Sequence, residues 1–330
     1  MAPQATDIFL GIDVGSVTTK VVALTRELEL LESVYLRTYG NPIRAVTQGL
    51  QAVRDVHPGV RVAAAATTGS GRTLAANLVG AGLAKNEITT HTLAALHIVP
   101  DVQTIIEIGG QDSKVIIVRN GLAVDFAMNT VCAAGTGSFL DQQAGRLGLN
   151  VDELGRLALT SVNPLAISGR CTVFAETDMI HKQQVGESEA DIVAGLCRSL
   201  VRNYLATVAK GKPLEPPVVF QGGVAANPAI VREFERQIGH GLTISPHFGV
   251  TGAYGAALLA SKASGPQPEF RGFELLEREF RISSFVCGQC EEECTVLSLC
   301  RDGQAIAWWN DRCGRYSHQG AVDQPSEPRS

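Results

Sequence analysis

The chain has 330 residues, 45% hydrophobic and 18% charged, with a net charge of −5. This is the balance of a globular protein of one large or two ordinary domains. It carries no basic block, only 5% aromatics and no run of about 18 apolar residues, so neither nucleic-acid binding nor a membrane span is expected. The N-terminal MAPQATD lacks a basic region followed by an apolar core, so no signal peptide and a cytoplasmic location are expected. Eight cysteines in a reducing compartment point to metal ligands or redox groups more than to disulfides.

In chain order, IFLGIDVGSVTTKVVALT (8–25) reads as strand, tight turn, strand. TIIEIGGQDSKVIIVRNG (104–121) repeats that plan about 95 residues later and ends on an Asn-Gly turn. In NTVCAAGTGSFLDQQAGRLG (129–148), Cys132 precedes a helix expected to start near Phe139; in SGRCTVFAETDM (168–179), Cys171 precedes another, followed by Glu176 and Asp178. Residues 187–210 form an amphipathic helix with Ile192, Leu196, Leu200 and Leu205 broadly on one face, and Cys197 reads as core. Residues 217–239 read as strand, Gly222-Gly223, then a helix with Asn227 as N-cap and Pro228 at its first position. Residues 242–262 give a short strand, a loop and a small-residue helix. SGPQPEFRG (264–272) has linker composition, Asp302-Gly303 makes a hairpin, and residues 319–330 are expected to be disordered.

This alternation of strands and helices is an α/β pattern. A Walker loop or a dinucleotide fingerprint runs from strand to glycine loop to helix. The first two glycine turns here run from strand to strand, so both of those motifs are excluded. Two similar half-domains, each offering a polar hairpin to a shared cleft, suit phosphate binding. Backbone amides of Gly15, Ser16 and Val17, the hydroxyls of Thr18 and Thr19, and Lys20 are the candidate phosphate ligands of the first hairpin, with Gly109 and Gly110 in the second. Asp13 and Asp112 read as matching acids that hold Mg²⁺ through waters. Gln111 is placed to orient an attacking water. Gly222 and Gly223 let the backbone approach an adenosine, with Asn227 beside them.

These features resemble the acetate kinase, sugar kinase, Hsp70 and actin superfamily. GIDVGSVTTK, EIGGQDSK, NTVCAAGTGSFLDQQAGRLG, GRCTVFAETDMI and QGGVAAN resemble more closely the BadF/BadG/BcrA/BcrD-type ATPases. That family contains the activators of (R)-2-hydroxyacyl-CoA dehydratases and the ATP-binding subunits of benzoyl-CoA reductase. The resemblance covers roughly residues 6–262. It implies an actin-like ATPase domain over 1–262, with lobes of roughly 1–100 plus the last helix, and 101–250. It implies ATP or ADP with Mg²⁺, and catalytic roles for Asp13, Gln111 and Asp112. A thiolate near a helix N-terminus is favoured by the dipole. Two per chain make half of the four ligands that a 4Fe–4S cluster needs, and a two-fold dimer supplies the rest. The resemblance implies this arrangement for Cys132 and Cys171 in a homodimer. It also implies ATP-driven transfer of one electron to an acceptor dehydratase or double-cluster reductase, with ferredoxin or flavodoxin as donor. A metabolite kinase with structural cysteines and a nucleotide-controlled scaffold or filament are the competing readings.

Beyond a linker at 263–272, residues 273–318 form a cysteine-rich segment. Cys287, Cys290, Cys294 and Cys313 have ligand-like spacing for a second metal site. Iron–sulfur is favoured there over zinc, because the main domain already reads as an electron carrier. Cys300 reads as packing. Minimal activators lack such a segment, and it resembles the one that follows the ATPase module in longer, fused relatives.

Overall fold

The computed structural model describes residues 6–129, 132–264 and 266–317. They form two compact units, one of residues 6–86 with 256–317 and the other Glu87–Gly255. The expected tail at 319–330 lies outside the described residues.

The first unit begins β1 (Thr6–Val14), β2 (Thr18–Leu24), β3 (Leu30–Arg37), α1 (Pro42–Val56), β4 (Val60–Thr68), α2 (Arg72–Val79) and the short β5 (Leu83–Ala84). Its sheet runs β3-β2-β1-β4-β5. The apolar residues of β1 explain its central place: Ile8, Leu10 and Ile12 are fully buried against Val46 and Leu50 of α1 and Leu78 of α2. Such burial is worth about 1.5–3 kcal/mol per large aliphatic side chain. Asn41 caps α1 by accepting from the Arg44 amide, and Pro42 takes the first position.

The second unit holds α3 (Glu87–Ile98), β6 (Thr104–Ile108), β7 (Ser113–Arg119), β8 (Leu122–Asn129), a 3-10 turn (Ala133–Gly135), α4 (Gly137–Leu147), α5 (Val151–Leu159), α6 (Thr172–Gln184), α7 (Glu189–Thr207), β9 (Val218–Gln221), α8 (Pro228–Ile238) and β10 (Thr243–Ile244). Its sheet runs β10-β9-β6-β7-β8. β6 is antiparallel to β7 and parallel to β9, as β1 is to β2 and β4. The weak repeat in the sequence is therefore a repeat of topology. Along α7, Ile192, Leu196 and Leu200 are buried as the amphipathic pattern requires, while Leu205 is only partly covered.

The last helix, α9 (Thr251–Ser261), carries the chain from one unit to the other. Its Gly255 crosses α3 so closely that a Cβ there would lie 1.8 Å from the Thr90 carbonyl oxygen. Gly255→Ala is expected to destabilise the second unit by about 3 kcal/mol, read as a lower urea midpoint.

The segment expected to be a linker is laid along the end of α2. The Arg271 amide donates to Val79 O at 2.9 Å, and its guanidinium donates to Asn77 O at 2.9 Å. The cysteine segment then forms β11 (Phe280–Val286), β12 (Thr295–Arg301) and β13 (Gln304–Trp309) in that order across one antiparallel sheet. The expected Asp302-Gly303 hairpin joins β12 to β13; β11 adds a third strand. Leu275 and Leu299 are buried in the first unit's core with Phe280, Ile306 and Trp309 packed around them. No helix among the described residues is long and apolar enough to cross a membrane.

Candidate nucleotide turns and cysteine loops

The two glycine turns close alike. Gly15 N–H donates to Thr18 O at 2.9 Å, and Gly109 N–H donates to Asp112 O at 3.0 Å. These amides serve the turn itself. The registers place Asp13 opposite Lys20 and Glu107 opposite Lys114. Asp13 thus corresponds to Glu107, and Asp112 corresponds to Thr18. Matching Asp13 with Asp112 is corrected by this register, because each strand-end acid stands two residues before its glycine. Glu107 is buried and was not among the expected site residues. Its signal in the sequence is the shared spacing, Asp13 to Lys20 and Glu107 to Lys114, seven residues each.

Lys20 Nζ lies 3.1 Å from Asp13 Oδ2. Lys114 is 2% exposed, and its Nζ lies 2.8 Å from Glu87, 3.1 Å from Glu107 and 2.8 Å from Asp112. Burial works against its charge, yet the carboxylates of Glu107, Glu87 and Asp112 outweigh it and hold the ammonium above its usual value. Tyr204 of α7 braces the same strand, its hydroxyl donating to Lys114 O at 2.7 Å.

The other expected ligands divide by strand periodicity. Ser16, Gly110 and Gln111 are exposed at the turn tips, and Thr18 is buried. Thr19 faces the other way: it is fully buried, 3.0 Å from the Thr38 hydroxyl, which itself donates to Gly15 O. Thr19 therefore braces the turn from behind. Each acid also has a glycine against it from the neighbouring parallel strand. A Cβ at Gly69 would lie 2.6 Å from Asp13 Oδ1, and one at Gly222 would lie 2.9 Å from Glu107 Oε1. Both glycines have φ near +89° (+89° and +88°), a conformation that other residues resist. The Gly69 block, TTGSG at 67–71, is a counterpart of QGG that sequence reading did not single out. Gly223 borders open space, while the Asn227 side chain caps α8, accepting from Ala229 and Ile230.

The two cysteine loops differ. Cys171 is itself the N-cap of α6. Cys132 fronts only the 3-10 turn, and α4 starts later, at Gly137. The first α4 amides are already engaged: Gly137 N–H donates to Gly109 O and Ser138 N–H to Gly110 O, both at 2.8 Å. The expectation that a helix start serves the Cys132 thiol is thus corrected; that helix start holds the second glycine turn. Asn129 brackets Cys132, donating to its carbonyl at 2.7 Å and accepting from its amide at 3.0 Å. Both loops rest on Asn203 of α7. Its Nδ2 donates to Gly169 O at 2.6 Å, and its Oδ1 lies 2.9 Å from where a Gly135 Cβ would be. Glu176 joins α6 to α4 through Arg146 at 2.8 Å. Asp178 accepts from the Ser168 hydroxyl and amide, which hold its carboxyl below the usual range. A cavity of about 800 Å³ lined by Ser168, Arg170, Asp178, Arg202 and Asn203 opens beside the Cys171 loop. Val173 and Phe174 next to Cys171 are each 65% exposed, and Phe126 and Met128 lead exposed toward Cys132.

Cys197 is buried in α7, and burial pushes its thiol up to about 12. It is expected to resist iodoacetamide at pH 7 while exposed Cys132 reacts, as mass spectrometry of the native protein would read.

In the tail, Cys287 N–H donates to Cys294 O at 2.8 Å across the mouth of β11 and β12, and Cys294 Sγ accepts from the Arg312 amide at 3.5 Å. Cys290 and Cys313 are exposed. Cys300 lies within β12, 3.9 Å from the Ser283 hydroxyl. Among the described residues, no three His, Cys, Asp or Glu side chains are gathered to hold a metal ion. The tail thiols as placed do not make a four-ligand site within the chain. Cys132 is exposed and Cys171 partly exposed, and the loops that carry them both meet Asn203, at Gly135 and Gly169.

A duplicated sheet with paired strand-end acids and glycine turns is the architecture of the actin-like ATPases. The sequence profile of the BadF/BadG/BcrA/BcrD ATPase family matches residues 10–260. The chain belongs to this family. It is 38% identical over 257 residues to the (R)-2-hydroxyglutaryl-CoA dehydratase activating ATPase of Acidaminococcus fermentans, covering 77% of this chain and 96% of that one. The crystal structure of that organism's (R)-2-hydroxyglutaryl-CoA dehydratase component A superposes with a TM-score of 0.71 at 35% identity, over 78% of this chain and 98% of that one. The ADPNP-bound activator of 2-hydroxyisocaproyl-CoA dehydratase from Clostridium difficile gives a TM-score of 0.70 at 34% identity, over 77% and 94%. The family match ends before the cysteine tail.

Proposed function

We propose that this member of the family is an ATP-driven activator. It delivers single electrons to a 2-hydroxyacyl-CoA dehydratase or a related double-cluster reductase, and works as a cytoplasmic homodimer. The observation that carries this reading is the pair of hydrogen bonds from Gly137 and Ser138 to the carbonyls of Gly109 and Gly110. They make the turn bearing Gln111 and Asp112 one mechanical piece with the segment bearing Cys132.

In this reading each unit offers an acid at its glycine turn, Asp13 in one and Asp112 in the other, with the chemistry to bind hydrated Mg²⁺. Gln111, exposed at its turn, orients the attacking water. The open space at Gly223 admits the adenosine. Cys132 and Cys171 of each copy furnish the four thiolates between them, and a 4Fe–4S cluster bound there supplies a one-electron carrier. Val173 and Phe174 give the thiols an apolar rim that excludes water when covered. When the 109–112 turn moves with phosphate loss, its carbonyls draw the start of α4. The Arg146–Glu176 pair passes that movement to α6 and Cys171. Ferredoxin or flavodoxin is the donor chemistry that fits.

The test is anaerobic purification with iron and acid-labile sulfide counted per chain, EPR of the reduced protein, and ATP turnover. About two irons per chain are expected, with Mg²⁺-dependent hydrolysis that Asp13→Ala slows about 100-fold. About six irons would place a second cluster on Cys287, Cys290, Cys294 and Cys313. No iron after reconstitution would overturn the electron-donor reading in favour of a metabolite kinase.

A further inference from the structure

Lys114 is a buried cation whose three partners stand on three elements. Glu107 is the penultimate residue of β6, Asp112 lies in the turn that follows, and Glu87 opens α3. One ammonium has three N–H donors, so each carboxylate takes about one. Asp112 is the outward member, its side chain 31% exposed against 6% for Glu107.

α3 is held to the same region at two further points. His91 Nδ1 lies 2.9 Å from Gln221 Nε2, buried at the end of β9, one residue before Gly222. The Thr90 carbonyl abuts Gly255 of α9 with no space for a side chain. Positions 87, 90 and 91 share one helical face by i, i+3, i+4 spacing. Glu87 and Gly255 are also the first and last residues of the second unit. The chain therefore enters and leaves this unit on the helix face that Lys114 ties to the second glycine turn.

We propose that Lys114 is a positioning residue that couples the second glycine turn to the first turn of α3, so that Mg·nucleotide at Asp112 is felt where the chain enters and leaves the unit. This rests on the reading of that turn as a nucleotide site. The physics is competition for one carboxylate. Three carboxylates share one ammonium, and a divalent cation near Asp112 competes with Lys114 for the outermost of them. As Asp112 turns to the hydrated metal, its share of the Lys114 ammonium passes to Glu87 and Glu107, which tightens the hold on α3. When the nucleotide leaves, Asp112 reclaims its share and the hold on Glu87 slackens.

The test is hydrogen–deuterium exchange of peptides spanning 87–98, with and without Mg·ADP, in wild type, Glu87→Gln, Lys114→Met and Lys114→Arg. Binding of Mg·ADP is followed in parallel by calorimetry. Wild type is expected to show several-fold slower exchange in these peptides when Mg·ADP is bound. Glu87→Gln is expected to lose that difference, yet keep kcat for ATP within about two-fold, because Glu87 lies outside both turns. Lys114→Arg is expected to restore part of the nucleotide-dependent difference that Lys114→Met removes; a structural role alone would not produce this rescue. If Lys114→Met does not fold, Glu87→Gln decides. A wild-type exchange difference retained in Glu87→Gln overturns the proposal. So does a wild type that binds Mg·ADP with no exchange difference, and that outcome leaves the nucleotide reading intact. Failure of wild type to bind Mg·ADP overturns both.

Discussion

Cys171→Ala is expected to take the iron content from about two per chain to nearly none, with Mg·ATP hydrolysis retained. A dimer that bridges one cluster with four thiolates keeps only two after this change, too few to hold it. The residues proposed for the nucleotide, Asp13, Gln111 and Asp112, lie on other elements, so turnover has no direct reason to fall. Cys171 also begins α6 as its N-cap, and a structural effect must be separated from a ligand effect. Cys171→Ser does this. Serine is a good N-cap where alanine costs about 1 kcal/mol, so the serine variant should match wild type in urea midpoint and still lack iron. Cys132→Ala should lose the cluster equally and leave α4 intact, because that helix is anchored by Gly137 and Ser138 on the glycine turn. Iron, sulfide and EPR on the three variants check the result. A full cluster in any of them would remove these cysteines from its ligand set.

Lys114→Met is expected to lower stability by about 3–5 kcal/mol, the usual cost of leaving buried charge without its partner. Three carboxylates lie within 3.1 Å of the lost ammonium, and Glu107 among them is buried. A second change, Glu107→Gln, should recover part of the loss; this coupling in a double-mutant cycle separates electrostatics from packing. The pH dependence has a definite sign. The folded protein holds the Lys114 ammonium above its unfolded value, so its contribution is whole below the unfolded lysine pKa of about 10.4 and declines as pH rises past it. Between pH 6 and about 9, wild type and variant should keep a constant gap in urea midpoint. A gap that vanished at pH 7 would mean that the network contributes nothing net.

Much of this was legible from short-range chemistry. The strand-turn-strand hairpins, the Asn227 cap, the buried face of α7 and the Asp302-Gly303 hairpin each depend on residues within a few positions. The family resemblance rests on five such local blocks. Register was harder to see. Asp13 and Asp112 looked alike as acids beside glycines, yet strand pairing matches Asp13 with Glu107. Thr18 and Thr19 looked equivalent as hydroxyls, but strand alternation sends Thr19 inward to Thr38. Composition reads residues 264–272 as a linker; Arg271 near its end hydrogen-bonds to the last turn of α2.

By itself, then, the sequence determined which turns are glycine turns, which cysteines precede helical segments, and which ATPase family owns the pattern. These follow from backbone conformational preference and side-chain periodicity, which act over one or two turns of chain. The tertiary structure alone decided three further things. It brought Glu87 to Lys114, it rested both cysteine loops on Asn203, and it gave the start of α4 to Gly109 and Gly110 rather than to Cys132. Each joins groups 27 or more residues apart in the chain. Such pairs are selected by packing and by the cost of leaving buried polar groups unpaired, and neither can be read from spacing along a strand or helix.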